Sequence, residues 1–501
     1  MDSQTTPQFD LILGGKVVSP KNNKYFDAIN PSTGEVIAKI ADASTEDVIQ
    51  AVKIAKDAFR ISLESGEWNL EKRSKALRSV ADLIRIHAKE LAELESLDTG
   101  KTLKQTTFID IPTAADTFEY FSNQTGLLED QELNSVLTCS AVTKREPYGV
   151  VAAILPWNYP LIMAAWKIAP ALLCGNSVIL KPSSLASLSL MHLGELITQS
   201  GLFGGMLNIL SSSRPQAGEE LAEHQDVDMV SFSGGSKTGQ KVMRSASAST
   251  KKIVLELGGK SPNIVFADAD MDAALGGALS AIFMNQGQMC TAGSRLLLED
   301  SIYDVFVDKL VRRAQSFVIG NALDFQTEFG PVISREHRDR LLHHVAEAIQ
   351  QGAQLLCGGK IPDISDISAL NGFYIQPTIF GNVDNAMGIA QEEVFGPVLC
   401  IMRFKDEEQA IKIANDSKYG LAAMIWSKDQ NKAKRVAGKL NCGTVWINTY
   451  GAFDNEIPFG GFKQSGFGRE LGKEGVFEFT QSKQIVIDET PGGKPLVCSW
   501  F

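Results

Sequence analysis

Five short apolar runs between residues 150 and 257 constrain the fold of this chain more than any other feature. They are rich in β-branched side chains and lie at 150–155, 177–180, 207–210, 229–232 and 253–257. Segments of helical character separate several of them, for example 185–201. Buried strands that alternate with helices indicate a parallel sheet covered on both faces. Right-handed crossovers between such strands predict a doubly wound, Rossmann-type α/β domain.

A second α/β pattern extends from residue 260 to residue 470 and contains helical segments at 301–318 and 335–352. The stretches 131–148 and 482–488 have the character of strands that belong to neither sheet. We expect these two stretches to form an arm or an oligomer contact, because open strand edges are a liability in a monomer.

Upstream of the first sheet, an apolar stripe with helical spacing runs from Leu77 to Leu94. His87 falls on this stripe and is expected to be a helix-packing residue. Gly100 is expected to end the helix.

The balance of charge excludes one class of partner. With 48 Lys and Arg against 59 Asp and Glu, the 501-residue chain has a net charge of −11 and no long basic block. This argues against nucleic-acid binding. The N-terminus lacks the pattern of a secretory signal, and no apolar run approaches the length of a membrane span. We therefore expect a cytoplasmic protein that binds neither nucleic acid nor membrane.

The cysteines and histidines give no sign of a metal site. The seven cysteines are scattered and form no CxxC pair, and no histidine pair has the H-E-x-x-H spacing. Neither a zinc site nor a secreted disulfide framework is expected.

Cys290 stands alone in the stretch FMNQGQMCTAGSR. The small residues around it, Gly287, Ala292, Gly293 and Ser294, would leave open space beside the sulfur. A thiol attacks only as the thiolate, so a catalytic cysteine needs a base or a positive electrostatic environment. An inert packing cysteine and a nucleophile both fit this local pattern.

Two polar residues lie near strand ends, where α/β sheets bind ligands. Glu256 lies in the apolar run LELGGK, and a partly desolvated carboxylate has a raised pKa that suits a general base. Asn158, in PWNYP after the first strand, could donate its amide to an oxyanion together with the backbone N–H of Cys290. A structural carboxylate and a turn-forming asparagine are the alternatives.

A lysine and a glycine-rich loop lie at two further strand ends. The ammonium of Lys181, in LKPSS, could hold ribose hydroxyls or phosphates. The loop FSGGSKTG at 232–239 resembles a phosphate-binding turn. However, Gln240 stands where a Walker A lysine would, and the G-x-G-x-x-G spacing is absent.

Six segments of the chain, taken in order, closely resemble the aldehyde dehydrogenase superfamily. They are NYPLIMAAWKIAPALLCGNSVILKPS, VSFSGGSKTG, VLELGGKSPNIVF, NQGQMCTAGSR, EEVFGPV and IPFGGFKQSGFGRELGKEG. The resemblance covers nearly the whole chain and implies NAD(P)+-dependent oxidation of an aldehyde to its acid. It also implies an aldehyde dehydrogenase-like α/β fold with three parts. These are a Rossmann-type cofactor domain (1–128 and 149–258), an α/β catalytic domain (259–475) and a small β oligomerisation arm (129–148 and 476–501).

The resemblance implies a mechanism for the residues already singled out. Cys290 attacks the aldehyde carbonyl to give a thiohemiacetal, whose oxyanion is held by Asn158 and the Cys290 backbone N–H. Hydride transfer to the nicotinamide leaves a thioester, and Glu256 activates the water that hydrolyses it. Lys167 and Glu470 match a pair proposed in some members to relay protons away from this base.

The implied cofactor is NAD or NADP. The positions matched to cofactor contacts are Trp157, Lys181, Ser184, Gly234, Gly235, Ser236, Leu257, Glu393 and Phe395. Lys181 matches a lysine that binds the adenosine ribose, and Glu393 and Phe395 match residues that hold the nicotinamide ribose. Ser184 replaces the glutamate of the family's common Lys-Pro-x-Glu, which repels a 2′-phosphate. We therefore expect NADP+ to be tolerated, and Lys237 in the glycine-rich loop is compatible with the extra phosphate.

The residues matched to the substrate tunnel carry aromatic rings or thioethers. They are Tyr159, Met163, Trp166, Met284, Met289, Phe453 and Phe459. Such a wall suits an apolar or aromatic aldehyde, which is the favoured substrate. The alternative is betaine aldehyde or an aminoaldehyde, held by cation–π contact and by Asp454 and Glu456 near the mouth.

Functions of other classes match the sequence less well. A catalytically inert structural or binding relative would be expected to have lost one of the catalytic residues, and a CoA-acylating member tends to lack the general-base glutamate. A thiol hydrolase needs a partnering histidine, and none lies near these motifs in the sequence. The resemblance also suggests a homodimer or homotetramer in which 131–148 and 482–490 form an intersubunit sheet.

Overall fold

The computed structural model describes residues 6–134, 139–363 and 371–490 of the chain. Within these residues the largest sheet has eight strands. In order across the sheet they are Gly466–Phe467, Lys252–Glu256, Met229–Ser233, Val150–Ile154, Ser177–Lys181, Leu207–Ile209, Leu11–Leu13 and Lys16–Val18. The second to the sixth run parallel to one another and coincide with the five predicted runs. The doubly wound α/β sheet is therefore confirmed.

Both faces of this sheet are buried by helices. Along the central strand Val150–Ile154, Val151 belongs to the core formed with the helix Pro160–Leu173. Its neighbour Ala152 belongs to the core formed with the helix Ser236–Ala246 on the opposite face. Because successive side chains point to opposite faces and both faces are covered, the strand is apolar throughout.

The strand Val150–Ile154 is the topological switch point of the sheet. The chain continues from it to Ser177–Lys181 on one side, and Met229–Ser233 lies on its other side. Ligands of doubly wound sheets bind outside the carboxyl ends of the strands at such a point. The residues that follow these three strands are therefore placed around one crevice.

A second sheet of seven strands contains the later α/β pattern. Across the sheet its strands are Gln354–Cys357, Thr378–Gly381, Val398–Phe404, Arg295–Glu299, Pro262–Val265, Ala422–Trp426 and Thr444–Ile447. The first pair is antiparallel and the remaining neighbours are parallel. The segment 257–261 joins the two sheets, since one strand of the first sheet ends just before it and Pro262–Val265 begins just after it.

Helices cover both large sheets. In the described part of the chain the α-helices are Thr45–Ser65, Leu70–Ile86, Ala88–Thr99, Leu103–Gln105, Ile111–Ser122, Pro160–Leu173, Leu188–Gln199, Gln216–Glu223, Ser236–Ala246, Met271–Phe283, Tyr303–Gln315, Arg335–Gln350, Gly388–Gln391, Glu407–Asn415, Gln430–Ala437 and Gly472–Glu478. A π-helix occupies Thr106–Asp110, and 3₁₀ turns occupy Thr125–Leu128, Gly204–Met206, Ser247–Ser249, Met284–Gly287 and Asp300–Ile302. The predicted segments 301–318 and 335–352 contain the helices Tyr303–Gln315 and Arg335–Gln350.

The apolar stripe upstream of the first sheet is divided between two helices. The first ends at Ile86 and the second begins at Ala88, so His87 lies at the junction. The His87 side chain is 31% exposed and its Nδ1 lies 3.2 Å from Glu90 Oε2, so it is partly buried at this junction. Gly100 ends the second helix with a φ of +78°, as predicted.

Among the described residues, a three-stranded antiparallel sheet pairs with neither large sheet. Thr480–Asp488 pairs with Cys139–Pro147, which pairs in turn with Gln131–Asn134. These strands coincide with the stretches expected to form the arm, of which residues 135–138 and 491–501 lie outside the described residues. The described residues also contain two smaller sheets. One has the strands Gln8–Phe9, Val36–Ala41 and Tyr25–Ile29, and the other has Tyr419–Gly420 and Phe462–Lys463.

The domain boundaries expected from the sequence stay a prediction.

None of the helices described above combines the length and the apolar character that crossing a bilayer requires.

Candidate active site

The segment 257–261 brings two predicted site residues together. A side chain at Gly258 would collide with the Glu393 carboxylate, and one at Gly259 would collide with the carbonyl oxygen of Cys290. The backbone N–H of Gly259 donates to Glu393 Oε1 over 3.2 Å. The two glycines are therefore needed because the main chain passes in direct contact with both residues.

Glu256 ends the strand before this segment, and its carboxylate is buried. The side chain is 7% exposed, and neither carboxylate oxygen has a hydrogen-bond partner among the described residues. Burial raises its pKa well above the usual 4.5, and the negative charge of Glu470 adds to this, whereas the positive charge of Lys167 opposes it. A carboxyl group with a raised pKa is suited to take a proton from water near neutral pH.

The predicted pair of Lys167 and Glu470 lies beside this carboxylate. Lys167 Nζ donates to Glu470 Oε1 over 2.5 Å and to Ser231 Oγ over 2.9 Å. Both side chains are buried, and Glu470 Oε2 has no hydrogen-bond partner in the described part of the chain. The pair therefore offers an unused acceptor close to Glu256, which fits the predicted proton relay.

Cys290 is a partly buried residue whose thiol has a raised pKa. Burial raises the pKa to about 12, and the negative charges of Glu393 and Glu256 act in the same direction. The backbone N–H groups of Thr291 and of Cys290 itself oppose the shift, because they donate towards the sulfur. The thiol is therefore protonated at neutral pH in the protein alone, and the Cys290 N–H lies at the reacting atom.

Asn158 is tied to the loop that carries Cys290. Its Nδ2 donates to the carbonyl of Gln288 over 3.0 Å. Asn285 Nδ2 donates to the carbonyls of both Asn158 and Gln288, each over 3.2 Å. This network holds the loop where Asn285 and Gln286 adopt left-handed φ values of +47° and +52°. An amide has two N–H groups, so the bond to Gln288 leaves Asn158 one further donor.

Lys181 ends the strand Ser177–Lys181 and the helix Ser236–Ala246 follows the strand Met229–Ser233, and these two strands flank the central strand Val150–Ile154 at the crevice. Lys181 is 8% exposed, and its ammonium donates to the Pro182 carbonyl over 3.2 Å. Burial lowers the pKa of Lys181 to about 8, although the negative charge of Asp42 acts to raise it. No described side chain caps the helix, and a side chain at the preceding Gly235 would have open space around it. An uncapped helix start beside open space is suited to bind phosphate.

Other predicted cofactor residues contribute packing or are partly exposed. The backbone N–H of Gly234 donates to the backbone carbonyl of Glu256 over 3.0 Å. Leu257 packs against Gly239. Ser236 Oγ donates to the Gln464 carbonyl over 3.4 Å. Ser184 is partly exposed.

An aromatic cluster at the crevice contains a histidine that the sequence did not single out. The Trp157 ring lies 5.2 Å from the Phe395 ring and 5.4 Å from the His337 ring, measured between centroids. Arg340 donates to His337 Nδ1 over 2.6 Å, so Nε2 carries the proton and donates to the Phe395 carbonyl over 2.8 Å. Burial, and then the charge of Arg340, lower the His337 pKa to about 4. His337 lies within a helix far from any motif, so one sequence carries no signal for it.

Five of the seven predicted substrate residues form two groups, and the first is a cluster of rings. The centroid of Trp166 lies 6.0 Å from that of Phe453 and 5.4 Å from that of Phe459, and the two phenylalanines are 5.4 Å apart. Trp446 and Tyr450, which were not predicted, extend the cluster.

The second group contains Tyr159 and Met289. Tyr159 Oη donates to Met289 Sδ over 3.0 Å and accepts from Gln105 Nε2 over 3.2 Å. Met163 and Met284 are partly buried against different apolar cores. Gln105 was not predicted, because its contact depends on the packing of a short helix and not on a motif.

Comparison with known proteins agrees with the resemblance. The model of the aldehyde dehydrogenase family matches residues 17–485. Over 500 residues the chain is 44% identical to betaine aldehyde dehydrogenase of Bacillus subtilis (strain 168). This alignment covers 98% of this chain and 99% of that protein. It is 41% identical over 467 residues to mitochondrial aldehyde dehydrogenase of Homo sapiens, with coverage of 93% and 89%. The structure of betaine aldehyde dehydrogenase from Staphylococcus aureus in complex with NAD+ is 42% identical, with a TM-score of 0.93 and coverage of 99% and 97%.

Proposed function

Because the chain belongs to the aldehyde dehydrogenase family and is an NAD(P)+-dependent oxidoreductase, we propose that it oxidises a quaternary ammonium aldehyde such as betaine aldehyde. The observation that supports this substrate most is the ring cluster around Trp166 and Phe453, together with two carboxylates in the loop that carries Phe453. Aromatic faces bind quaternary ammonium groups by cation–π attraction. The two relatives named betaine aldehyde dehydrogenase also favour this alternative over the apolar or aromatic aldehyde that the sequence favoured.

The two carboxylates belong to Asp454 and Glu456, which are exposed. Their negative charges act on Tyr120, whose pKa is raised first by burial and then by these two groups. Between them, Asn455 accepts a hydrogen bond from Thr117 Oγ1 over 2.9 Å, which fixes the loop to the helix beneath it. The loop therefore holds two negative charges beside the ring cluster, where they would attract a cation.

The proposed chemistry assigns one role to each catalytic residue. The Cys290 thiol gives up its proton to water in the crevice as Sγ attacks the carbonyl carbon, and the oxyanion accepts from the Cys290 backbone N–H and the remaining Asn158 N–H. Bound NAD(P)+ supplies the hydride acceptor. Glu256 takes a proton from the water that hydrolyses the thioester on Cys290, which releases the acid and the Cys290 thiolate. The pair of Lys167 and Glu470 then receives the proton from Glu256.

The crevice has the donor set that a nicotinamide dinucleotide needs. The uncapped start of the helix Ser236–Ala246 would hold the pyrophosphate, and the ammonium of Lys181 would hold the adenosine ribose. The Glu393 carboxylate, which rests on the N–H of Gly259, would accept from the hydroxyls of the nicotinamide ribose. The buried ammonium and the half-buried carboxylate would both gain partners when the cofactor binds.

A pair of aldehydes that differ in charge alone tests the substrate proposal. Betaine aldehyde and 3,3-dimethylbutanal have the same shape, but only the first carries a cationic nitrogen. We expect kcat/KM to be about tenfold higher for betaine aldehyde, because cation–π contacts are worth about 0.5–2 kcal/mol. The absorbance of the reduced nicotinamide measures both rates.

The charged loop gives the matched variant for this test. Replacing Asp454 by Asn and Glu456 by Gln is expected to lower the preference for the cation without lowering the rate with 3,3-dimethylbutanal. Equal rates with the two aldehydes would instead support the apolar substrate. No reduction of NAD+ or NADP+ by the folded protein with any aldehyde would support the catalytically inert relative.

We also propose that the enzyme accepts NADP+ as well as NAD+, because Ser184 brings no negative charge to the adenosine ribose. A second cation, Arg214, also acts electrostatically on Lys181. Ser184→Glu is expected to raise KM for NADP+ at least about tenfold and to leave KM for NAD+ unchanged, by repulsion between like charges. Ser183→Glu, one residue away, is the control. Equal effects of Ser184→Glu on both cofactors would contradict the proposal.

We further propose that the arm makes a homodimer or homotetramer. The outer edge of Thr480–Asp488 pairs with no strand among the described residues, and Val486 and Ile487 in it are 62% and 53% exposed. Open apolar edges promote association with another chain.

The three-domain organisation and the cytoplasmic location expected from the sequence stay predictions.

A further inference from the structure

Lys260 carries a buried ammonium group that the chemistry above does not use. The side chain is 2% exposed, and its Nζ makes no hydrogen bond to any of the described residues. Burying a cation without a partner is costly, so its charge is expected to act on a neighbouring group. Lys260 lies in the segment that joins the two sheets, directly beside the proposed active site.

The main chain around Lys260 is fixed in relation to Glu393. The preceding Gly259 donates to Glu393 Oε1, and a side chain at Gly258 would collide with the same carboxylate. The carbonyl of Lys260 accepts from Nε of the buried Arg295 over 2.9 Å. The lysine side chain therefore starts from a rigid point next to the carboxylate that is proposed to hold the nicotinamide ribose.

Several charged groups act on the Glu393 carboxylate. Burial raises its pKa to about 7, and the Gly259 N–H opposes this most strongly. Among the cations that lower the pKa, Lys260 comes first, ahead of Arg340 and Lys418.

Two further groups respond to the charge of Glu393. It raises the pKa of the Cys290 thiol and of the Tyr419 hydroxyl, in each case after burial. For Lys260 itself, burial lowers the pKa. This change is opposed by Cys400 and then by Glu393 and Glu392, whereas the charge of Arg295 adds to it. The influence between Lys260 and Glu393 is therefore mutual.

We propose that Lys260 is a positioning residue for Glu393, which it keeps ionised so that the carboxylate accepts hydrogen bonds from the nicotinamide ribose. This inference rests on the role proposed above for Glu393. A carboxylate offers acceptors to two hydroxyls, whereas a carboxylic acid directs one oxygen as a donor. Without the charge of Lys260, Glu393 is protonated over more of the neutral pH range and binds the cofactor less tightly.

The pH dependence of cofactor binding tests this inference in the full-length protein. NADH binding is followed by nicotinamide fluorescence without aldehyde, from about pH 6 to 9, which spans the titration of Glu393. Affinity is expected to fall at low pH. In Lys260→Met the midpoint is expected to move up by about one pH unit, which weakens binding at neutral pH up to about tenfold.

Three further variants serve as controls. Lys260→Arg keeps the charge and is expected to keep the midpoint. Lys260→Gln is a second neutral variant for the case in which Lys260→Met does not fold. Lys418→Met removes an exposed cation that pairs with Glu392 over 2.9 Å, and is expected to move the midpoint much less.

Glu393→Gln separates failure of this inference from failure of the proposed role of Glu393. If Glu393→Gln removes the pH dependence but the neutral Lys260 variants keep the wild-type midpoint, the inference about Lys260 is overturned. A lower thermal stability with an unmoved midpoint overturns it equally, because it shows a structural role alone. If Glu393→Gln leaves affinity and pH dependence unchanged, the role of Glu393 itself is wrong.

Discussion

At the scale of single residues, the burial of Glu256 links catalysis to stability. In the unfolded chain this carboxyl group ionises near its usual pKa of 4.5, whereas burial in the folded protein raises the pKa well above that value. The folded state therefore binds the proton more tightly. As a consequence, the contribution of Glu256 to stability falls as the pH rises from 4.5 through the raised pKa.

Glu256→Gln removes this titration with little change in shape. We expect the variant and the wild type to be equally stable near the acid end of this range. At alkaline pH the variant is expected to be more stable by about 1 kcal/mol or more, because only the wild type buries an ionised carboxylate. Thermal unfolding at a series of pH values measures the difference, with the exposed Glu408→Gln as control. A stability difference that does not grow with pH would contradict the prediction.

Single residues could be predicted where a short segment of sequence explains why they are there. Glu256 is an acid at the end of an apolar strand, and Asn158 lies between two prolines after another strand. His337 gives no such signal, because its contacts with Trp157 and Phe395 exist only once a helix has packed against the crevice. The charged groups that act on Lys260 are likewise set by three-dimensional packing.

At the scale of secondary-structure elements, the segment 257–261 between the two sheets fixes the positions of Cys290 and Glu393, because its main chain contacts both. In Gly259→Ala the new methyl group would collide with the Cys290 carbonyl and lie 3.2 Å from Leu421 Cβ. We expect the nucleophile to be displaced and kcat to fall at least about 100-fold in a protein that still folds. Steady-state kinetics and circular dichroism measure the two effects.

Gly276→Ala is the matched control for this change. Gly276 is exposed in the helix Met271–Phe283, and a side chain there meets no atom within 4 Å. The variant is expected to keep wild-type kcat and to gain about 0.5–1 kcal/mol of stability from higher helix propensity. Similar kcat values for the two alanine variants would show that contact with Cys290 does not constrain the segment.

The elements that could be predicted are those with long, regular apolar patterns. The five parallel strands were identified because burial on both faces makes them apolar throughout. The strands Leu11–Leu13 and Gly466–Phe467, which extend the same sheet, are too short to show a period. The π-helix Thr106–Asp110 lies directly between the helices Leu103–Gln105 and Ile111–Ser122 and has no sequence pattern of its own.

At the scale of the whole molecule, the arm is the part that we propose for association with a second chain. Val486→Lys places a charge on the exposed apolar edge of the strand Thr480–Asp488 and is expected to shift the protein from a dimer or tetramer to smaller species. Light scattering during size-exclusion chromatography measures the mass. Gln481→Lys adds the same charge to the same strand at a polar position and is the control. An unchanged mass in Val486→Lys would show that association does not use this edge.

The central claim is that Cys290 carries the acyl group and that Glu256 releases it. Intact-protein mass spectrometry of Glu256→Gln, mixed with betaine aldehyde and NAD+, tests this claim most directly. We predict a mass increase equal to one betaine acyl group, located on Cys290 by peptide mapping and absent when Cys290 is also replaced by serine. Formation of NADH without an adduct, or an adduct on another residue, would contradict the account.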